Sequence, residues 1–293
     1  MAFNIFSKNG VILPISEAVV PLSSIEYAYG FGVYETLRIK DGKPLFLLDH
    51  IYRLLVSAKI IGLEHSFSKD DIAVYIRDLV SRVDSQTYNI KILIIGAARI
   101  EDVALYILCS NPLFPDKRLY RDGVALITQE GERVYPHAKS LNMLESYMAY
   151  REARENDAYD ALLIDRNGDI VEGTRTNFFT IKDNVIYTAP EEKILLGITR
   201  KKVLETALQN GYEVRSTNIT LDTLKDYDGA FITSTSSKIL PVKKINDFEF
   251  PSIPESITRL MGYFGVLLDS YSSQNEEGSI TEDPFVDALS KER

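Results

Sequence analysis

The sequence predicts an α+β fold laid out as two successive units of mixed strands and helices. Three observations predict it. Turn signals between short apolar runs mark hairpins. Apolar residues at helical spacing mark amphipathic helices. The stretch NPLFPDKR, with two prolines and no periodicity, separates one such set from the next. A chain of 293 residues with 45% apolar content is long enough for two modest domains with an ample core. The expected division is an N-terminal α+β domain over 1–112, a linker over 113–120, a second domain over 121–271 and a flexible acidic tail over 272–293.

The elements follow in order. FNIF and VILPI flank Asn9-Gly10, and GVYETLRI and PLFLL flank Asp41-Gly42, so two hairpins are expected. DHIYRLLVSAKIIG places Ile51, Leu54, Leu55, Ala58 and Ile61 on one helical face, with Gly62 suited to the end. Ser68, with Asp71 three residues on, reads as the start of the next helix. NIKILIIG and VALYILCS read as apolar strands, and GVALITQE opens the second half as another. A helix near 141–156 carries Leu141, Leu144, Tyr147 and Met148 on one face, with Asn142 and Glu145 resembling a capping pair. A meander follows over 161–189, with turns at Asn167-Gly168 and Asp183-Asn184. GITRKKVLETALQNG is a helix, and YDGAFITSTSS is a strand running toward KILPV.

The bulk numbers exclude several classes. A net charge of −9 and a pI near 5.0 argue against nucleic acid and anionic membrane as main partners. The one cysteine, Cys109, forms no disulfide within the chain, so a reduced, cytoplasmic setting is expected. No apolar run reaches the ~18–20 residues of a membrane span, and MAFNIFSKNGVILPIS lacks a basic segment followed by an apolar one, so no signal peptide is expected. His50, His65 and His137 lie far apart and no HExxH or CxxC occurs, so no metal site is expected.

Residue chemistry alone leaves alternatives open. GITR, residues 197–200, opens a helix whose free N–H groups and positive dipole end suit a phosphate, although Thr199 read by itself is an N-cap. TSTSS, 233–237, is either a second phosphate contact or a hydroxyl-rich loop. Glu172 in IVEGTRTNFF faces either a cleft or solvent. Arg53 reads as a solvated helix residue. Lys91, sharing a strand face with Leu93 and Ile95, is either a pocket residue or a snorkelling lysine. Lys139 in PHAKSLNMLES reads alone as a surface lysine.

Taken in order, from YAYGFGVYETLRIKDGKPLFLLDHIYRL to STSSKILPV, these pieces resemble the fold type IV pyridoxal 5′-phosphate (PLP) enzymes. These are the class IV aminotransferases: branched-chain and D-amino acid aminotransferases and aminodeoxychorismate lyase. The resemblance implies a two-domain fold with a smaller N-terminal domain and a larger, β-rich, PLP-binding one. It implies that Lys139 forms the Schiff base with PLP and moves the substrate proton, an amine that burial and the cationic cofactor keep neutral. Glu172 would pair with the pyridine nitrogen. Arg53, the Ile198 and Thr199 amides, and the Thr235 and Ser236 hydroxyls would hold the phosphate. Leu195 would pack on the ring. Tyr34 matches a pocket aromatic. Lys91 stands where branched-chain enzymes carry an arginine, and keeps the charge without the bidentate fork. Arg99 is expected at the substrate, where the D-amino acid enzymes' Arg-x-His motif takes the α-carboxylate, although the histidine of that motif is absent. Lys238 replaces a usual glutamate and would either bind a second substrate carboxylate or be solvated.

The implied activity is ping-pong transamination from a branched-chain L-amino acid or a D-amino acid to a 2-oxo acid, in a homodimer. The alternatives are a lyase releasing pyruvate from aminodeoxychorismate and a PLP-binding protein without turnover.

Overall fold

The computed structural model describes residues 3–273 apart from 22 and 113. The chain forms two compact units, and they are not a simple cut at the linker. The first takes the residues up to Pro112 together with Ala138–Asn142. The second takes those from 113 to His137 and Met143–Tyr271. The lysine at 139 therefore belongs to the first unit, although the segments that flank Ala138–Asn142 on both sides belong to the second.

In chain order the first unit contains β1 (Ile5–Lys8), β2 (Val11–Pro14), α1 (Ile25–Ala28), β3 (Gly32–Lys40), β4 (Lys43–Pro44), α2 (Leu47–Ile60), α3 (Lys69–Ser81), β5 (Tyr88–Ile95) and β6 (Ala104–Ser110). Its six strands form one sheet, β2-β1-β6-β5-β3-β4. The Asn9-Gly10 turn joins β1 to β2, with both residues at positive φ, as a two-residue hairpin demands. The apolar face expected on α2 is buried where it matters: Ile51, Leu54 and Ala58 pack with Ile72, Ile76 and Leu79 of α3 against Leu37, Ile90, Ile92 and Ile107 of the sheet. Replacing one of these leucines or isoleucines with alanine removes about 2–5 kcal/mol. At the start of α3, the Asp71 amide donates to Ser68 Oγ and the Ser68 amide donates to Asp71 Oδ2, a complete capping box. The strand expected from PLFLL is not one. β4 ends at Pro44, Phe46 turns the chain at φ 54°, and Leu47 already begins α2.

The second unit contains α4 (Lys117–Asp122), β7 (Val124–Glu130), α5 (Leu144–Glu155), β8 (Asp160–Ile164), β9 (Ile170–Gly173), β10 (Asn177–Lys182), β11 (Val185–Thr188), α6 (Ile198–Gln209), β12 (Glu213–Ser216), β13 (Gly229–Ser234), β14 (Lys238–Ile245), β15 (Phe248–Glu249) and α7 (Glu255–Ser273). The strands run β12-β11-β10-β13-β14-β7-β8-β9, with β15 on β14. β9 also pairs β10, through Glu172 opposite Asn177, so β10, β13, β14, β7, β8 and β9 close on themselves. The core is built from Leu126, Leu162, Phe178, Ile232 and Leu240. Part of the expected linker is helical: Asp116 caps α4 by accepting from the Arg118 amide.

α5 corrects a second expectation. Leu144, Tyr147 and Met148 are 70%, 61% and 62% exposed; the inward face is Ser146, Ala149 and Ala153. Small side chains let the helix lie close on β8, where Ala149 and Ala153 meet Ala158 and Ala161. The helix begins after Met143 without a side-chain cap, so Asn142 and Glu145 do not form the capping pair. Nearly all of the tail expected over 272–293 lies outside the described residues. No helix among the described residues is long and apolar enough to cross a membrane.

Candidate active site

In the first unit, residues 139–141 run alongside the start of β3. The Tyr34 amide donates to the Lys139 carbonyl (2.9 Å) and the Leu141 amide to the Gly32 carbonyl (2.8 Å), with Val33 bridged to Ser140. Gly32 permits the approach: a Cβ there would sit 2.7 Å from both Ile94 O and Leu141 Cδ1. From the other side the Lys139 amide donates to Ser57 Oγ (3.0 Å), and that hydroxyl donates to the Arg53 carbonyl (2.7 Å). Ser57 is wholly buried and ties Lys139 to the helix that carries Arg53. Lys139 Nζ rests 4.4 Å from the Tyr34 ring centroid, a cation–π contact, with Lys91 Nζ at 5.7 Å from the same ring.

Arg53 is not the solvated helix residue that spacing alone suggests. Its Nε donates to Glu35 Oε1 (2.6 Å) and its Nη2 to Oε2 (2.9 Å), and His50 Nδ1 lies 2.8 Å from Oε2. Glu35 is fully buried. Burial pushes its carboxyl up, but Arg53 and His50 together outweigh that and hold it well below the usual carboxylate range. A fork-to-fork pair of this kind fixes the plane of the guanidinium.

In the second unit, Glu172 sits on the seam that closes the strands, with its side chain 3% exposed. Arg133 Nε donates to Oε1 at 2.5 Å. The Asn177 amide group reaches Oε2 at 3.4 Å, and the Leu195 main-chain N–H lies 3.3 Å from both oxygens. The turn that follows Glu172 is shaped by buried Asp160, which accepts from Thr174 Oγ1 (2.5 Å) and Thr176 Oγ1 (2.9 Å). Gly173 is required there, because a Cβ would meet Thr176 Oγ1 at 2.1 Å.

α6 begins at Ile198, and its N-cap is Gly197, not Thr199. Gly197 supplies no side-chain cap, and a Cβ on it would collide with Asn177 Oδ1 at 2.1 Å. Thr199 is thus inside the first turn. The opening amides of this 12-residue helix have no partner within the helix and no side-chain cap. On β13, which packs on α6, the Thr233 hydroxyl is buried without a partner. Thr235 and Ser236 lie in the turn between β13 and β14, a turn pinned by a 2.7 Å contact between Ser234 Oγ and Ser237 Oγ. Lys238 opens β14 in the left-handed region, at φ 58°.

Several functional candidates were invisible to sequence reading. Glu35, Ser57, Arg133, Asp160 and Asn177 act on the expected residues across separations such as the 82 positions between Ser57 and Lys139. Arg99 is 67% exposed and pairs with Asp102 (2.7 Å) and Glu101 (3.6 Å). Lys91 is also exposed.

These residues fit a phosphorylated pyridine. A helix N-terminus without a side-chain cap beside a buried hydroxyl lacking a partner suits a phosphate, and a buried carboxylate on a rigid turn suits a ring N–H.

Comparison with known proteins agrees. Residues 32–245 match the family model for amino-transferase class IV. The chain is similar to a D-alanine aminotransferase of Bacillus licheniformis (34% identical, 81% of this chain and 87% of that one). It is also similar to a putative branched-chain-amino-acid aminotransferase of Methanocaldococcus jannaschii (32%, 81% and 86%). Among solved structures, the branched-chain amino acid aminotransferase of T.th. with pyridoxamine 5′-phosphate superposes with a TM-score of 0.85 at 27% identity, covering 94% of this chain and 96% of that one. The chain belongs to the class IV aminotransferases, PLP-dependent enzymes of the type IV fold.

Proposed function

We propose that this aminotransferase works in ping-pong halves, taking the amino group of a small D-amino acid such as D-alanine and passing it to a 2-oxo acid. The observation that carries this reading is the Lys139 segment, fixed by main-chain bonds to Gly32 and Tyr34 and by the Ser57 hydroxyl, with its amine laid on an aromatic ring. A lysine held in this way is placed to act and not merely to be solvated. The D-alanine preference is supported by the Bacillus licheniformis relative. A branched-chain L-amino acid is the second reading, supported by the archaeal relative and the T.th. neighbour.

When bound, PLP supplies an aldehyde for amine capture and a pyridinium that accepts electron density from the substrate Cα. The chain's own residues do the rest. Lys139 Nζ would hold the aldehyde and would serve as the base that carries the proton from the substrate Cα. Glu172 accepts a hydrogen bond from the ring nitrogen. The Ile198 and Thr199 amides, the Thr235 and Ser236 hydroxyls and the Arg53 guanidinium, oriented by Glu35, bind the phosphate. Leu195 packs on the ring. Tyr34, Lys91 and Lys238 are assigned to substrate, the two lysines as carboxylate partners. Arg99, already held by two carboxylates, is given no such role.

The enzyme acts as a homodimer in this reading. The exposed apolar stripe of Leu144, Tyr147 and Met148 supports burial against a second copy.

The test is a half-reaction screen of D- and L-amino acids against the holoenzyme, following the visible cofactor band. Bleaching by D-alanine and not L-leucine supports the first reading, and the reverse supports the second. Pyruvate released from aminodeoxychorismate without a 2-oxo acid would replace transamination by the lyase reaction.

A further inference from the structure

Arg133 has no place in the roles assigned so far, yet it meets Glu172 at short range. It lies in the loop after β7, 39 positions before Glu172, with its side chain 18% exposed. Its Nε donates to Glu172 Oε1 at 2.5 Å and its Nη2 donates to the Thr174 carbonyl at 3.2 Å. One edge of the guanidinium therefore grips both the carboxylate and the main chain two residues on, and Asp160 holds the same turn from beneath. This geometry fixes where Oε1 sits. It also sets the charge, because a guanidinium is protonated at every working pH and favours the ionised over the protonated carboxyl.

The consequence follows from sharing one proton between two bases. Lowering the proton affinity of one base leaves the proton on the other. We propose that Arg133 is a positioning residue that keeps Glu172 anionic and oriented, so that the proton shared by Glu172 and the cofactor's pyridine nitrogen rests on the ring. This rests on the assignment of Glu172 to the ring nitrogen. A lysine at 133 would keep the charge and lose the two-donor edge, whereas a methionine would lose both.

The test uses holoenzyme reconstituted with PLP labelled with nitrogen-15 in the ring, in the wild type, Arg133→Met, Arg133→Lys and Glu172→Gln. The ring-nitrogen shift is the readout. The wild type is expected at the protonated-pyridine position, Glu172→Gln at the neutral one, Arg133→Met displaced toward neutral, and Arg133→Lys between Arg133→Met and wild type. A wild-type shift in Arg133→Met, with Glu172→Gln neutral, overturns the role of Arg133 alone. A wild-type shift in Glu172→Gln overturns the assignment beneath it. Should Arg133→Met fail to fold, Arg133→Lys carries the test with the carbon-for-nitrogen ring analogue of PLP. Exchanging PLP for that analogue should then slow the variant by roughly tenfold less than it slows the wild type, the equivalent of one pK unit. An equal slowing in both overturns the proposal.

Discussion

Each unit buries one carboxylate against one arginine, and the two pairs differ in kind. Glu35 has both oxygens taken at short range: Arg53 across both and His50 on Oε2 at 2.8 Å, with no exposure at all. Glu172 is met by Arg133 on Oε1 at short range and by neutral donors, the Leu195 N–H and the Asn177 amide group, at 3.3 and 3.4 Å. The first arrangement is an anchor, in which the carboxylate serves the arginine. The second is a working group, in which the arginine serves the carboxylate. An Arg–Glu pair is therefore not one kind of object. What separates the two is the company each carboxylate keeps: two buried cationic side chains around Glu35, and a guanidinium edge with main-chain and amide donors around Glu172.

Mutation should break the comparison along that line. Glu172→Ala is expected to lower turnover by roughly a thousandfold, about 4 kcal/mol of barrier, with a small change in melting temperature. Single-turnover kinetics beside calorimetry checks this. Glu35→Ala should do the opposite, costing about 3–5 kcal/mol of stability because it leaves Arg53 and His50 buried without their carboxylate. Urea unfolding of the holoenzyme reads it. The same pair predicts an acid limb. A carboxyl held below its ordinary value of 4.5 contributes stability that is present above that pH and lost as the pH falls through the lower folded-state value. Wild-type stability should therefore decline below about pH 4.5 more steeply than that of Glu35→Gln, as followed by melting temperature against pH.

Smaller effects sharpen the picture. Ser57→Ala removes an acceptor from the Lys139 amide and a donor from the Arg53 carbonyl, at about 1–2 kcal/mol. It should weaken PLP retention on dialysis more than it lowers the melting temperature, with Ser57→Thr restoring part of both. Cys109 gives the smallest effect. Burial pushes its thiol up to about 12, so alkylation of native protein should run roughly a thousandfold slower than that of an open thiol.

Local signals made much of the fold legible. Ser68 and Asp71 announced the α3 capping box, and Asn9-Gly10 announced the first hairpin, because those devices act within a few residues. α5 failed for a physical reason. Leu144, Tyr147 and Met148 have the right spacing for a buried face, but close packing on β8 selects the alanine face instead, and spacing carries no information about which face a sheet accepts. PLFLL failed because the left-handed Phe46 converts a β-compatible run into a helix start. The candidate site was legible only as a set. Lys139, Glu172 and the GITR helix each read as ordinary until taken together, and their supports were silent. Ser57, Arg133 and Asp160 meet the residues they hold only through the fold.

The central claim is that Lys139 is the amine that anchors PLP. Borohydride reduction of the holoenzyme, followed by digestion and mass mapping, tests it most directly. A pyridoxyl adduct on Lys139, absent from Lys139→Ala, is the predicted result. An adduct on another lysine, such as Lys91 or Lys238, or one that persists in Lys139→Ala, would contradict it.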